Sequence, residues 1–342
     1  MIRSFNILLW PLSVIYGSIA GLRRLFFEVF QLRTKMEIPT VIVGNLTVGG
    51  TGKTPMVIYL SDLLKPLHNV AVLSRGYGRK TKGFLEVCID SNVSDVGDEP
   101  KEVKLQQPEI PVFVCENRIM GIDTIHQKNE KVNLVLLDDG FQHLPLRGKV
   151  NLILSNYHRP FYDDFVMPSG RLREFKSTAK GADMIVVTKC PSELKKEEAL
   201  EIEGILKHYS KQIFFATYTI SKPKILLGDK DLGLTSKIVL VTGIAEGNKL
   251  KEELVYFDVV KHFNYQDHSN FSIKNVQEWK QYCNDFEIEN IVLTRKDSMR
   301  LMGLIGAEGM DFGSINVYEI HTEVSFLFET AETFKKGLID LL

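Results

Sequence analysis

The sequence predicts an α/β fold, a largely parallel sheet followed by a second, smaller α/β lobe. Three observations carry the prediction. Short apolar runs without polar alternation recur along the chain, as in strands buried on both faces of a parallel sheet. The segments between them are long enough for crossover helices. The rhythm breaks near residue 220 and then resumes, and 342 residues suggest about two domains. Composition agrees: 44% hydrophobic and 25% charged residues are ordinary for a folded chain and exclude wholesale disorder or a multi-span membrane protein. Lys and Arg number 42 against 43 Asp and Glu, a net charge of -1, so no nucleic acid is expected as a partner. The four cysteines form no CxxC pair, which argues against a zinc knuckle or a disulfide scaffold.

The first element is an N-terminal segment, residues 1–36. Ile7 to Leu22 is a run of 16 uncharged residues, followed by Arg23, Arg24, Leu25, Phe26 and Phe27. The run is shorter than the ~20 residues a spanning helix needs, and Pro11 lies inside it. Through Glu37, basic Arg3, Arg23, Arg24, Arg33 and Lys35 outnumber acidic Glu28 and Glu37. A basic, apolar, aromatic segment on a near-neutral chain predicts a membrane-associated helix lying in the bilayer surface. The alternative is a helix buried against the core. A cleaved secretory signal fits less well, because the basic pair follows the apolar run.

Residues 37–220 then read as the main domain. Thr40–Val43, Asn69–Ser74, Val132–Leu137, Val150–Ser155 and Met184–Thr188 are its buried strands, and Glu193–Tyr209 keeps apolar residues at helical spacing. Residues 221–236, with Lys-Pro, Gly-Asp and Gly-Leu-Thr-Ser, read as a linker. Lys237–Thr242, Asn290–Thr294 and Ser314–Ile320 are the strands of a C-terminal α/β lobe, residues 237–342.

The sharpest signal is Thr47-Val48-Gly49-Gly50-Thr51-Gly52-Lys53-Thr54, directly after the first strand and before a helix starting near Pro55. Such a strand–loop–helix makes the sheet P-loop NTPase-like: the glycines turn backbone N–H groups toward phosphate, Lys53 reaches the β- and γ-phosphates, and the Thr54 hydroxyl ligates Mg²⁺. The full pattern wants glycine where Thr47 stands. Pro55 suits a first helical turn, where its missing N–H costs little. Asp138 and Asp139 end an apolar strand and are the expected Mg²⁺ carboxylates. A nucleoside triphosphate and Mg²⁺ are therefore the expected small-molecule partners; Thr294-Arg295-Lys296-Asp297 partly echoes a guanine-reading loop, so the loop alone leaves GTP open beside ATP. Arg75, Tyr77 and Arg79, in Ser-Arg-Gly-Tyr-Gly-Arg after another buried strand, are candidates to meet nucleotide or substrate phosphate. His143 either caps a helix or touches the site.

The motifs Gly44 to Pro55, Ser74 to Arg79, Val96-Gly97-Asp98-Glu99-Pro100 and Asp138-Asp139-Gly140-Phe141-Gln142-His143 stand in this order. Together they resemble the tetraacyldisaccharide 4′-kinases, the lipid A 4′-kinases of Gram-negative bacteria. The resemblance implies transfer of the ATP γ-phosphate to the 4′-hydroxyl of a tetraacyldisaccharide 1-phosphate, giving lipid IVA, at the cytoplasmic face of the inner membrane. It implies that Asp98 is the catalytic base, with Glu99 near the metal, Gln142 on the metal and nucleotide side, and Arg173 a contact to phosphate. It also implies a partner histidine at His268. A cation at His268 would hold or tune Asp98, as a triad carboxylate orients its histidine with the roles exchanged. The chain departs from the family pattern at Ser269 (a second histidine), Phe175 (proline) and Arg295 (an acidic residue).

Two other readings compete. A partitioning-type membrane ATPase shares the Gly-Gly-Thr-Gly-Lys-Thr loop, but it carries a lysine where Val48 stands. A nucleotide-binding scaffold that has lost its chemistry would explain the departures, but not intact Lys53, Thr54, Asp98 and Asp138.

Overall fold

The computed structural model describes residues 9–244, 247–266, 269 and 271–342. They form two compact units, residues 1–218 with 324–342, and residues 219–323.

The first unit begins with α1 (Trp10–Val29). Pro11 occupies its first turn, where a missing N–H is harmless. Short β1 (Thr34–Lys35) leads to β2 (Thr40–Asn45), α2 (Lys53–Leu64) and β3 (Val70–Ser74). There follow β4 (Leu85–Val87), α3 (Val93–Val96), α4 (Asp98–Gln106), β5 (Val112–Val114), α5 (Arg118–Lys128) and β6 (Leu134–Asp138). The unit continues through β7 (Leu146–Arg147), β8 (Val150–Asn156), β9 (Met184–Thr188), α6 (Lys196–Leu206) and β10 (Gln212–Ile220).

The chain leaves along β10. The second unit comprises β11 (Lys224–Leu227), β12 (Lys237–Thr242), α7 (Gly247–Glu253), β13 (Asp258–Asn264), α8 (Ile273–Asp285), β14 (Asn290–Thr294), α9 (Arg295–Glu308) and β15 (Asn316–Ile320). It returns along β16 (Thr322–Phe326) and ends in α10 (Ala331–Leu341).

The large sheet has nine strands in the order β16-β10-β9-β8-β2-β6-β3-β5-β4. From β10 to β5 neighbouring strands are parallel, and β4 is antiparallel at the edge. All six β2 positions are buried because both faces are covered. Alternate side chains feed different cores. Ile42 packs with Leu73, Leu137, Ile153 and Phe141 on one face. Val41 and Val43 pack with Met56, Val57, Leu60 and Leu64 of α2 on the other. Phe334 and Leu338 of α10 complete that second core, the Phe334 ring stacking on Phe326 and meeting Phe214 edge to face.

The second unit has five strands in the order β11-β15-β14-β12-β13, with only β11 antiparallel to its neighbour. Its core surrounds Trp279. The segment expected to be a linker, residues 221–236, therefore contributes β11 to this sheet. Residues 324–342, expected in the C-terminal lobe, fold into the first unit. The reason is an apolar face on α10 that matches the open core beside Phe214 and Tyr59.

Helix α1 buries only Ser13, Gly17 and Arg24. Trp10, Leu12, Ile15, Ile19, Leu22, Leu25, Phe26 and Val29 are exposed. The small and charged side of the helix faces the protein, and the apolar side faces outward. This is the inverse of a core-buried helix. No helix among the described residues is long and apolar enough to cross a membrane.

Candidate active site

Three neighbouring strands deliver the site. Val43 of β2 pairs with Asp138 of β6, and Leu73 of β3 pairs with Leu137. The loops after β2, β6 and β3 therefore emerge level at one carboxyl edge, where open α/β sheets bind ligands.

The loop after β2 is anchored on both sides. Thr47 bridges Leu172, the Val48 N–H donates to the Arg171 carbonyl at 2.9 Å, and the Arg173 N–H donates to the Leu46 carbonyl at 2.8 Å. An extended segment thus runs beside the loop and delivers Arg173. On the other side the Thr188 hydroxyl donates to the Thr51 carbonyl at 2.8 Å, and the Tyr218 hydroxyl to the Gly52 carbonyl at 3.1 Å. Gly52 sits at φ 81° before α2, and a Cβ there would fall 1.6 Å from the Tyr218 oxygen. Only glycine meets both demands.

Charge converges on Asp139. Lys53 Nζ lies 3.8 Å from one carboxylate oxygen, and Arg173 Nη1 lies 3.2 and 3.1 Å from the two. Arg173 also donates to Gln142 Oε1 at 3.1 Å, and Gln142 Nε2 donates to the Asn45 carbonyl at 2.7 Å. Gln142 was expected on the metal side. With both ends of its amide engaged, it instead braces the loops that carry Arg173 and Asn45.

Asp138 is fully buried. Burial, the charge of Glu99 and that of Asp139 push its carboxyl up to about 7, against the pull of Lys53 and Arg118. Ser74 Oγ donates to Oδ2 at 3.4 Å, while Oδ1 is buried with no hydrogen-bond partner among the described residues. A buried carboxylate oxygen with no hydrogen-bond partner, within the field of Glu99, fits a divalent cation. Among the described residues no three His, Cys, Asp or Glu side chains close on one point.

Asp98 and Glu99 open α4, directly after Gly97 at φ 94°. A Cβ on Gly97 would lie 3.2 Å from the Gly76 Cα, so this helix start abuts the turn that carries Arg75 and Tyr77. Arg75 and Tyr77 are exposed there. Arg79 was expected to face phosphate. Its guanidinium is instead buried on the Gly83 carbonyl at 2.6 Å and on Glu116 at 2.7 Å, holding the loop closed. His143 lies in the fields of Arg118, Arg23 and Arg75, and burial first and these charges second push its ring down to about 4. His268 lies outside the described residues.

The departures from the family pattern have local partners. Phe175 lies on the glycine face of α1, against Gly17 and Gly21. Arg295 pairs with buried Glu319 at 3.3 Å. The Ser269 hydroxyl donates to the Gln266 carbonyl at 2.6 Å. Asp297, the residue that would read a guanine, is fully buried. It accepts from the Thr294 hydroxyl and the Gly243 N–H and pairs with Arg300, so it is held in the first turn of α9, which Thr294 caps.

Sequence reasoning missed several residues. Arg118 is buried, and its Nη2 approaches the Asp139 carbonyl at 3.5 Å. Thr188 and Tyr218 pin the phosphate loop from strands far along the chain. Arg24 and Glu174 form a buried pair at 2.7 Å. None sits in a glycine-rich or acidic motif. The only signal available was a charged residue within an apolar helix.

The family model described as tetraacyldisaccharide-1-P 4′-kinase matches residues 5–341. A tetraacyldisaccharide 4′-kinase of Cytophaga hutchinsonii is 36% identical over 337 residues, covering 96% of this chain and 95% of the relative. One of Bacteroides thetaiotaomicron is 34% identical over 352 residues, covering 97% and 92%. A crystal structure of LpxK from Aquifex aeolicus in complex with ATP superposes with a TM-score of 0.75 at 27% identity, covering 100% of this chain and 99% of that one.

Proposed function

The chain belongs to the tetraacyldisaccharide-1-P 4′-kinase family, and on that premise we propose which of its side chains carry the transfer. It is an ATP-dependent 4′-kinase of lipid A biosynthesis, a phosphotransferase acting on the tetraacylated disaccharide 1-phosphate. The observation that carries the assignment of roles is the convergence of Lys53 and Arg173 on Asp139 beside the phosphate loop.

Phosphoryl transfer is chiefly positioning and neutralisation of charge. Residues Thr47 to Thr54 form the nucleotide cradle, with the N–H groups after Val48 as its donors to phosphate. Lys53 and Arg173 neutralise the migrating group, and Asp139 keeps both cations in place before nucleotide arrives. Thr54, Asp138 and Glu99 would hold Mg²⁺, which supplies charge neutralisation on the β- and γ-phosphates when bound. Asp98, at the start of α4, takes the proton of the 4′-hydroxyl. Arg75 and His143, in a field made positive by Arg23 and Arg118, meet the anionic end of the disaccharide.

Residues 1–36 hold the enzyme on the cytoplasmic face of a membrane. The outward apolar face of α1 and the neighbouring Arg23 support this reading.

The experiment that tests the function is transfer of labelled γ-phosphate from ATP to tetraacyldisaccharide 1-phosphate in detergent micelles. Labelled lipid with the native chain and none with Asp98→Ala is the expected result. Undiminished transfer by Asp98→Ala would remove Asp98 from the role of base. His268→Ala should lower kcat far more than it raises the KM for ATP, and equal effects on both would exclude it as partner of the base.

A further inference from the structure

The segment that delivers Arg173 continues into Glu174 and Phe175, and both meet α1. Arg24 Nε donates to Glu174 Oε2 at 2.7 Å, with both side chains about nine-tenths buried. The same guanidinium approaches the Phe141 carbonyl at 3.5 Å and lies 5.0 Å from the centre of the Phe141 ring. Phe141 is chain neighbour to Gln142, and Glu174 is chain neighbour to Arg173. Arg173 and Gln142 meet at 3.1 Å beside Asp139. One arginine of α1 therefore touches both arms of the phosphate-site brace.

The seat around this arginine is closely fitted. The Phe175 ring fills the space left by Gly17, where a Cβ would lie 2.6 Å from it. Ser13 Oγ bonds Ser169 Oγ at 2.8 Å and accepts from the Ser169 N–H at 2.9 Å. Arg33 is close enough to feel the charges of both Arg24 and Glu174. A buried ion pair is a poor stabiliser, since desolvation offsets most of its attraction. Its directional strength is better suited to fixing an orientation.

We infer that the Arg24–Glu174 pair is a positioning device, through which the helix with the apolar outer face holds Arg173 and Gln142 at the phosphate site. Arg24 and Glu174 touch no substrate. They act through their neighbours, so seating of α1 and alignment of Arg173 are one event. The inference rests on the role of Arg173 proposed above.

The test is a double-mutant cycle on the full chain in detergent micelles, with labelled ATP and tetraacyldisaccharide 1-phosphate. Arg24→Met and Glu174→Gln should each lower kcat roughly 10- to 100-fold, the scale of a displaced charge at a reacting centre. The KM for ATP should stay within about twofold. Arg24→Lys should restore part of the rate. In an Arg173→Ala background, Arg24→Met should cost less than about a further twofold, because the residue it positions is gone. An undiminished loss in that background, or kcat unchanged by both single variants, would overturn the inference. If Arg173→Ala itself leaves kcat unchanged, the reading beneath the inference fails first and takes the inference with it. Should Arg24→Met not fold, Glu174→Gln, which keeps shape and volume, decides the matter by the same cycle.

Discussion

At the scale of single residues, the site works by shared partners. Asp139 receives two cations, and each also belongs to another structure: Lys53 to the first turn of α2, Arg173 to the brace from Glu174. Lys53→Ala should therefore lower transfer by at least about 10³-fold, as expected for loss of a preorganised charge at the reacting phosphate. Steady-state transfer with lipid and ATP both saturating checks it. Gly52→Ala meets two obstacles at once. A left-handed residue other than glycine costs about 1–2 kcal/mol, and its methyl would collide with Tyr218. Thermal unfolding and ATP titration of Gly52→Ala should show a lower Tm and weakened binding. Tyr218→Phe, which loses the hydroxyl's shared bond to the Thr51 and Gly52 carbonyls and keeps the ring, should cost only about 1 kcal/mol.

His143 adds a pH dependence whose sign follows from its depressed folded-state pKa of about 4, against 6.5 unfolded. Between these values the unfolded chain binds the proton more readily. Stability from this residue is complete above about 6.5 and is lost as pH falls toward 4. Because the ring is only partly buried, solvent screening holds the effect to about 1–2 kcal/mol. His143→Gln should flatten the fall in Tm across that interval.

At the scale of elements, α10 and α1 show opposite behaviour. Helix α10 closes a core with Phe334 and Leu338, both fully buried. Phe334→Ala should cost about 3–5 kcal/mol. The loss should appear in the unit that carries the phosphate loop, as weakened ATP binding at temperatures the native chain tolerates. Had the C-terminal helix belonged to the second lobe, ATP binding would be indifferent to it. Helix α1 closes nothing with its apolar side. Leu22→Ser with Phe26→Ser should therefore leave Tm within about 0.5 kcal/mol equivalents of the native chain, as for other surface substitutions. The same pair should abolish sedimentation with anionic vesicles.

At the scale of the molecule, a net charge of -1 gives no long-range attraction to an anionic surface. The proposed association with a membrane would then depend on the apolar face of α1 and its local arginines. Added salt should weaken vesicle binding less than the Leu22→Ser, Phe26→Ser pair does. Chelation of divalent cations should stop phosphoryl transfer, and added Mg²⁺ should restore it, if Asp138 and Thr54 hold the ion as proposed.

Much of this was legible in the chain itself. Strands over Thr40–Val43, Val150–Ser155 and Met184–Thr188 announce themselves, because a strand covered on both faces has no polar face to show. The Lys53-Thr54 loop and the Asp138-Asp139 strand end are equally plain, since phosphate and metal demand specific residue types at short spacing. Three features needed the tertiary structure. Arg79 and Gln142 lie in motifs that suggest ligands, yet folding gives them protein partners at Glu116, Arg173 and Asn45. The return of residues 324–342 to the first unit depends on which open core the last helix fits. The pairing of Arg24 with Glu174 joins positions 150 residues apart. Local sequence determined the chemistry, because a glycine, a lysine or a carboxylate carries its capability wherever it is placed. Only packing decided which of those groups face the substrate and which hold the others in place, because a contact between distant segments leaves no periodic trace in either.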